Sequence, residues 1–190
     1  MMRTWAIRLL LLVGLTVAGA IAIVASVAAG SPESSPRTAA ELSGFNETPP
    51  ILTNGSGTFR ARISGDSLTY TLTFSGLTSP ATQAHLHFGQ PGVAGGIFLF
   101  LCSNLGNGPT GTPACPANGG SVTRTVTAAD FVAIPAQNVT AGDFAGTLRI
   151  IRSGDAYANV HSVKFPAGEI RGQLYRGRGH WLTGTLSTRR

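Results

Sequence analysis

The chain has 190 residues, with 12% charged residues, 25 glycines and 11 prolines. This length and composition suit one domain built of short strands and turns. They argue against long salt-bridged helices and against extensive disorder. The formal net charge of +6 comes from the two ends, because acidic and basic residues are equal in number between Ala39 and Tyr175. Since a nucleic-acid-binding protein carries its basic patch on the folded domain, we predict no binding to DNA or RNA.

The N-terminal segment has the three parts of a secretory signal. Arg3 and Arg8 precede an uncharged apolar stretch over residues 9–29, which ends in small residues that suit a signal peptidase. The stretch is long for a cleaved signal, and a helix of about 20 apolar residues can span a bilayer. We therefore predict a signal peptide or an N-terminal membrane anchor over residues 1–30, with the rest of the chain secreted or otherwise extracytoplasmic.

A polar linker over residues 31–37 precedes a predicted domain of short strands over residues 38–175. Segments 58–64 and 68–74 alternate apolar and polar residues and are joined by Gly65 and Asp66, which predicts a hairpin. The other predicted strands are 38–45, 82–88, 97–101, 121–127, 156–162 and 169–174. About eight strands separated by turn signals predict an all-β fold, either an antiparallel sandwich or a barrel.

One segment departs from the period of two. After Asp143, apolar residues recur at helical spacing, and Gly154 can end a helix, so we expect one short helix over Phe144–Ser153. A further helical turn is expected over residues 130–134. Residues 176–190 are predicted to form a flexible basic tail that acts as a solubilising end.

Cys102 and Cys115 lie in a segment rich in Gly, Pro and Asn. In an oxidising compartment, two such cysteines are expected to form a disulfide. The alternative is a pair of metal-binding thiolates, but neither a histidine nor a third cysteine lies near them in sequence. The expected disulfide agrees with export.

Three phrases of the sequence resemble the CHRD domain family, whose module is repeated in chordin. They are Ala-Glu-Leu-Ser-Gly at 40–44 followed by Glu47, Ala-His-Leu-His at 84–87, and Tyr-Ala-Asn-Val-His-Ser at 157–162 followed by Phe-Pro-Ala-Gly-Glu-Ile-Arg-Gly-Gln-Leu at 165–174. The resemblance implies an immunoglobulin-like β-sandwich or barrel in an exported or cell-surface protein. Chordin binds bone morphogenetic proteins, but that role is not carried over, because this chain has one module and a shared fold does not give a shared function.

Three histidines make up the candidate site. His85 and His87 are two residues apart on a predicted strand and therefore share one face, while their neighbours take the core face. By the same alternation, His161 shares a face with Tyr157 and Asn159. If the two strands are neighbours, the three histidines converge outside the core.

Three neutral imidazoles can hold a copper or zinc ion and leave a coordination position open. Asn159, Glu169 and Arg171 are expected close to them. The alternative is that the histidines are hydrogen-bonded, surface or half-buried residues that fix loops. For Glu169 and Arg171, which share a face of the last predicted strand, an ion pair is the simpler interpretation than acid–base or anion-binding chemistry.

No catalytic motif accompanies these residues. The sequence has neither a Gly-x-Ser-x-Gly elbow nor a phosphate-binding Gly-Lys-Ser/Thr loop, and no pair of acids suits glycoside hydrolysis. We therefore favour a non-enzymatic extracellular module that binds a protein or surface component. The alternative is a copper- or zinc-binding protein with a three-histidine site, with redox activity as an option. Membrane contact is expected only through residues 1–30, if they are not cleaved.

Overall fold

The structure is a computed structural model, and it describes residues 37–177. The predicted segment 1–30 and residues 31–36 of the predicted linker lie outside the described residues, as does the tail beyond residue 177, which includes His180. Within the described range, no helix is long and apolar enough to cross a membrane.

Nine strands and one α-helix form the regular structure of residues 37–177. They are β1 (Arg37–Ser43), β2 (Ser56–Ser64), β3 (Ser67–Ser75), β4 (Ala81–Phe88), β5 (Gly96–Ser103), β6 (Gly120–Val126), α1 (Phe144–Ser153), β7 (Ala156–Ser162), β8 (Ile170–Gln173) and β9 (Tyr175–Gly177). The strand pairs are antiparallel. The prediction of an all-β antiparallel sandwich or barrel with one short helix is confirmed.

The strands follow the order β5-β4-β7-β8-β1-β2-β3-β6, and β9 pairs with β1. The two halves of this sheet meet at a narrow junction, because β8 and β1 pair only at Arg171 and Ser43. At the other end, Leu99 of β5 forms a bridge with Phe131, which lies just beyond β6. The sheet is therefore nearly closed around the core.

Strand β3 shows how the core is built. Its apolar residues Leu68, Tyr70, Leu72 and Phe74 are buried, and the threonines between them are exposed or half-buried. Full burial of a side chain such as Leu or Phe stabilises the fold by about 1.5–3 kcal/mol. A slip of one residue would move the whole apolar set to the solvent face, so burial determines the register.

Strands β4 and β7 are buried on both of their faces. All seven residues of β7 are buried, and in β4 the residues His85 and His87 are buried as well as the core residue Leu86. The loops 89–95 and 163–169 contact the second face, through the carbonyl groups described below. The predicted histidine face thus lies outside the apolar core but is shielded from solvent.

Helix α1 begins and ends at the predicted residues. The Asp143 side chain accepts a hydrogen bond from the Gly146 N–H, and Gly154 adopts a left-handed conformation (φ 89°) at the C-cap. The helical turn predicted over residues 130–134 is displaced, because the structure has a 3₁₀ turn over Ala128–Asp130. Phe131 and Ile134 instead form β-bridges and are buried, because residue 134 precedes a proline, which disfavours helical backbone.

Most strand boundaries differ from the predictions by one or two residues, and the differences at β1 and β9 affect the sheet most. Strand β1 ends at Ser43, whose side chain caps the following 3₁₀ turn over Gly44–Asn46. Strand β9 extends to Gly177, into the segment predicted as a tail. It forms there because residues 37–39 of β1, which β8 does not reach, pair with it.

Cys102 and Cys115 form a disulfide with an S–S distance of 2.05 Å. It ties the end of β5 to the loop that precedes β6. Cys102 also lies opposite Ala84, the residue before His85. The predicted disulfide is confirmed and is consistent with an oxidising compartment.

Candidate metal centre

The register of three neighbouring strands places the predicted site residues in rows. His85 of β4 lies opposite Asn159 of β7, which lies opposite Arg171 of β8. In the next row, His87 lies opposite Tyr157. Directly opposed residues of an antiparallel pair share a face, so these side chains line one surface of the sheet.

The three histidines form a buried cluster on this surface. Their exposed fractions are 0% for His85, 7% for His87 and 5% for His161. The Nδ1 atom of His85 lies 3.0 Å from the Nε2 atom of His161. One ring nitrogen from each histidine lies within 4.8 Å of the other two. The structure thus brings together the three residues that the alternation placed on one side of two strands.

Two backbone carbonyls determine where the hydrogens of the cluster reside. The Nδ1 atom of His87 lies 2.9 Å from the carbonyl oxygen of Gly95, and the Nδ1 atom of His161 lies 3.0 Å from that of Pro166. A carbonyl oxygen only accepts, so each Nδ1 carries the hydrogen and each neutral ring has its lone pair on Nε2. The Nε2 atom of His161 then accepts from His85 Nδ1–H, and the lone pair of His85 is also on Nε2.

The Nε2 atoms of His85 and His87 are buried without a hydrogen-bond partner. A buried polar atom without a partner typically costs about 1–3 kcal/mol, and such atoms in native proteins call for an explanation. His87 has the arrangement of a metal-ligating histidine, in which a carbonyl or carboxylate orients one nitrogen and the other faces the metal, whereas the Nδ1 atom of His85 is bonded to His161. The lone pairs are therefore suited to a metal ion.

The spacing of the nitrogens sets the adjustment that a metal would require. Ligand nitrogens at about 2.0–2.1 Å from one ion lie roughly 3.3–3.6 Å from each other. The observed limit of 4.8 Å means that the rings would move together by about 1 Å.

Burial keeps the cluster uncharged. Desolvation, with smaller effects from the other two histidines, lowers the pKa of His85 to about 2. Desolvation lowers the pKa of His87 to about 4 and also lowers the pKa of His161. Neutral imidazole is the form that binds metals, so the ligands are ready at neutral pH.

Aromatic rings enclose the cluster. The ring of Phe100 lies edge-on to His85, with centroids 4.5 Å apart, and the ring of Tyr157 stacks parallel to His87 at 4.6 Å. The Tyr157 hydroxyl accepts a hydrogen bond from the Gly95 N–H (3.1 Å). Gly95 is thus held by Tyr157 through its N–H and orients His87 through its carbonyl oxygen.

Arg171 and Asn159 lie beside the cluster and bind groups other than the histidines. The Cζ atom of Arg171 lies 3.4 Å from the ring centroid of Tyr157, and its guanidinium donates to the Gln90 carbonyl oxygen (2.9 Å). The amide of Asn159 donates to the carboxyl of Glu47 (2.5 Å). These two predicted neighbours of the site therefore contact the residues that surround the histidines, namely Tyr157, Gln90 and Glu47.

Glu47 was not predicted as a site residue, although it belongs to the first CHRD-like phrase. Its side chain is buried beside Asn159, which is 112 positions away in the sequence. Burial raises the pKa of Glu47 to about 7, and the Asn159 hydrogen bond and the charge of Arg171 oppose that rise. Only the phrase in which it lies could have singled it out.

Glu169 is separate from the histidine cluster. One oxygen of its carboxylate accepts hydrogen bonds from Thr53 Oγ1 and from the Thr78 N–H, both at 2.7 Å. Desolvation opposes its ionisation, but hydrogen bonds from its neighbours outweigh it and hold the pKa of Glu169 below the usual value. Its carboxylate ties together the loops at Thr53 and Thr78, where the sequence had suggested an ion pair with Arg171.

Comparison with known families matches residues 38–174 to the family model described as CHRD domain. This span contains all three histidines of the cluster. Comparisons with curated proteins and with solved structures give no significant match.

Proposed function

The chain belongs to the CHRD domain family, and from that premise we propose that it is an extracytoplasmic binding module that holds one copper or zinc ion at His85, His87 and His161. The observation that carries the proposal is the set of buried lone pairs. Backbone carbonyls direct the Nε2 lone pairs of His87 and His161 away from the loops. A purely structural role explains the Nδ1 contacts but leaves the buried Nε2 atoms of His85 and His87 without partners.

The extracytoplasmic location is part of this proposal. The Cys102–Cys115 disulfide and the signal-like composition of residues 1–30 both support it. Mass spectrometry of the mature N-terminus would distinguish a secreted form from an anchored one.

The proposal is tested by loading the full-length chain. The metal-free protein is incubated with Cu²⁺ plus ascorbate or with Zn²⁺, desalted, and analysed for bound metal per chain. We expect one ion per chain in the wild type and loss of that ion in His87→Ala and His161→Ala. The matched control is His180→Ala, because His180 is the fourth histidine of the sequence and lies outside the described residues. Retention of the ion in His87→Ala, or no ion in the folded wild type, would refute the proposal.

A second candidate function is binding of an extracellular protein. Phe45 and Tyr175 are 67% and 50% exposed, and both line a groove of about 420 Å³ that also contains Glu47 and Arg171. Exposed aromatic side chains are typical of protein interfaces. The test is cross-linking of the full chain to extracellular proteins, in which Phe45→Ala should abolish a specific product while Val163→Ala, a change at another exposed apolar residue, should not.

A further inference from the structure

The histidine cluster supplies a ligand set with no negative charge. Among residues 37–177, the group whose ligand atoms lie close enough to share an ion contains His85, His87 and His161 and no carboxylate. The described cysteines are joined in the disulfide and supply no thiolate. An ion bound to this set therefore keeps its full charge.

The surroundings make that charge costly. The three histidines are almost fully buried, and the rings of Phe100 and Tyr157 contact them. The desolvation penalty of an ion increases with the square of its charge, so a divalent ion pays about four times the penalty of a monovalent ion of the same size. An uncharged, enclosed ligand set accordingly favours the lower charge.

A cation already lies next to the cluster. Tyr157 separates His87 from Arg171, with the Tyr157 ring 4.6 Å from the His87 ring and 3.4 Å from the guanidinium carbon. The acid that faces Arg171 is Glu47, whose raised pKa of about 7 means that it compensates the arginine only in part. Glu169 is separate from the cluster, and its carboxylate is bound to Thr53 and Thr78. The Arg171 charge, which lies on the other side of the Tyr157 ring from His87, therefore opposes a second positive charge at the cluster.

The coordination number points the same way. Zn²⁺ in proteins almost always has four ligands, and Cu²⁺ prefers tetragonal sites with nitrogen or oxygen ligands. The cluster offers three nitrogens, and the Nε2 atoms of His85 and His87 are buried. Cu⁺ is stable with fewer ligands than either divalent ion.

From these features we infer that the site takes copper as Cu⁺, in preference to Cu²⁺ and Zn²⁺, with His85, His87 and His161 as its three ligands. This inference rests on the proposed metal-binding function and specifies its ion. Arg171 acts on this preference through its charge and is not a ligand.

The test measures three affinities of the metal-free, full-length chain. Cu⁺ is supplied with ascorbate and competed with bicinchoninate, and Cu²⁺ and Zn²⁺ are competed with nitrilotriacetate. We expect the dissociation constant for Cu⁺ to be at least a thousandfold below that for Cu²⁺. This raises the potential of bound copper by about 180 mV over that of the free ion, at 59 mV per tenfold. Binding of Zn²⁺ or Cu²⁺ as tight as that of Cu⁺ would overturn the inference and leave the proposed function intact; binding of no ion would overturn both.

Two further measurements bear on the ligands and on the charge. X-ray absorption at the copper edge should show three nitrogen ligands, and four or more would contradict the inference. Arg171→Met should lower the Cu⁺ over Cu²⁺ preference about tenfold, since one unit charge roughly 8 Å away acts at this scale. Arg171→Lys retains the charge and is the matched control. Equal preferences in both folded variants would refute the role assigned to Arg171.

Discussion

The Nδ1 atom of His85 lies 3.0 Å from the Nε2 atom of His161, so a direct imidazole–imidazole hydrogen bond joins β4 to β7. The lone pair of His161 that accepts this bond is the same lone pair that would bind a metal. Binding of an ion therefore exchanges one hydrogen bond for coordination bonds, and the ring of His85 is the one that must turn most. The hydrogen-bonded arrangement keeps the ligands close together before an ion arrives.

The first prediction concerns acid stability of the metal-free protein. The pKa of His87 is lowered to about 4 in the fold and is about 6.5 in the unfolded chain. Below pH 6.5, His87 binds a proton in the unfolded chain but stays neutral in the folded protein. The free energy of unfolding therefore falls as the pH falls toward 4. Through His87 alone, the free energy of unfolding should decrease by roughly 2 kcal/mol between pH 7.5 and pH 5.

Urea titrations in EDTA at both pH values measure this effect. His87→Asn is the reference, because its side chain does not titrate and its amide nitrogen takes the place of Nδ1, which bonds to the Gly95 carbonyl. The difference in unfolding free energy between wild type and variant gives the pH dependence that comes from His87, because the carboxylates contribute equally in both proteins. Equal losses of stability in the two proteins would contradict the lowered pKa.

The second prediction has the opposite sign and concerns Glu47. Its pKa is raised from 4.5 to about 7 in the fold, so the folded state holds a proton that the unfolded chain has released. The stability that this proton provides is present below pH 4.5 and is lost as the pH rises through 7. Glu47→Gln should therefore gain roughly 2.5 kcal/mol in unfolding free energy relative to wild type between pH 5 and pH 8. A constant difference across this range, measured by urea titration, would show that Glu47 titrates normally.

The third prediction concerns Gly168, which has a φ of +132° and lies against two buried side chains. A Cβ atom at this position would lie 2.6 Å from Asn159 Nδ2 and 2.8 Å from Glu47 Oε1. Gly168→Ala should therefore cost more than the roughly 1–3 kcal/mol of backbone strain alone, because it also displaces the Asn159–Glu47 hydrogen bond.

Gly154→Ala is the matched control for this change. Gly154 also has a positive φ (89°), but a Cβ there would meet no atom within 4 Å. Thermal and urea unfolding of the two variants separate strain from steric conflict. If the two substitutions destabilise the domain equally, the close approach at Gly168 does not contribute to the loss of unfolding free energy.

The fourth prediction concerns the Cys102–Cys115 disulfide. The two cysteines are 13 positions apart, and closing a loop of this size in the unfolded chain is worth about 3 kcal/mol. The double variant Cys102→Ala/Cys115→Ala should lose about this much unfolding free energy. Wild type unfolded in the presence of a reductant should match the variant, and insensitivity of the wild type to reductant would contradict a stabilising disulfide.

Local patterns in the sequence predict the parts of this protein that depend on neighbouring residues. Alternation identified the strands on either side of Gly65 and Asp66 and placed His85 and His87 on one face. The Asp143 cap and Gly154 bounded α1, and the pair of cysteines predicted the disulfide. Each of these features arises from geometry repeated over a few residues, which is why one sequence suffices to find it.

The tertiary structure decided which distant segments meet. The pairing of β4 with β7 joins His85 to His161, 76 positions apart. The same fold places Glu47 beside Asn159. It places the carboxylate of Glu169 at Thr53 and Thr78, apart from the histidines. Gly95 and Pro166 orient the imidazoles through carbonyl groups, which every residue has and no sequence pattern marks. Strand register depends on how both partners bury their side chains together, so the site is a property of the packed sheet, whereas its histidines, by number and face, can be found in the sequence alone.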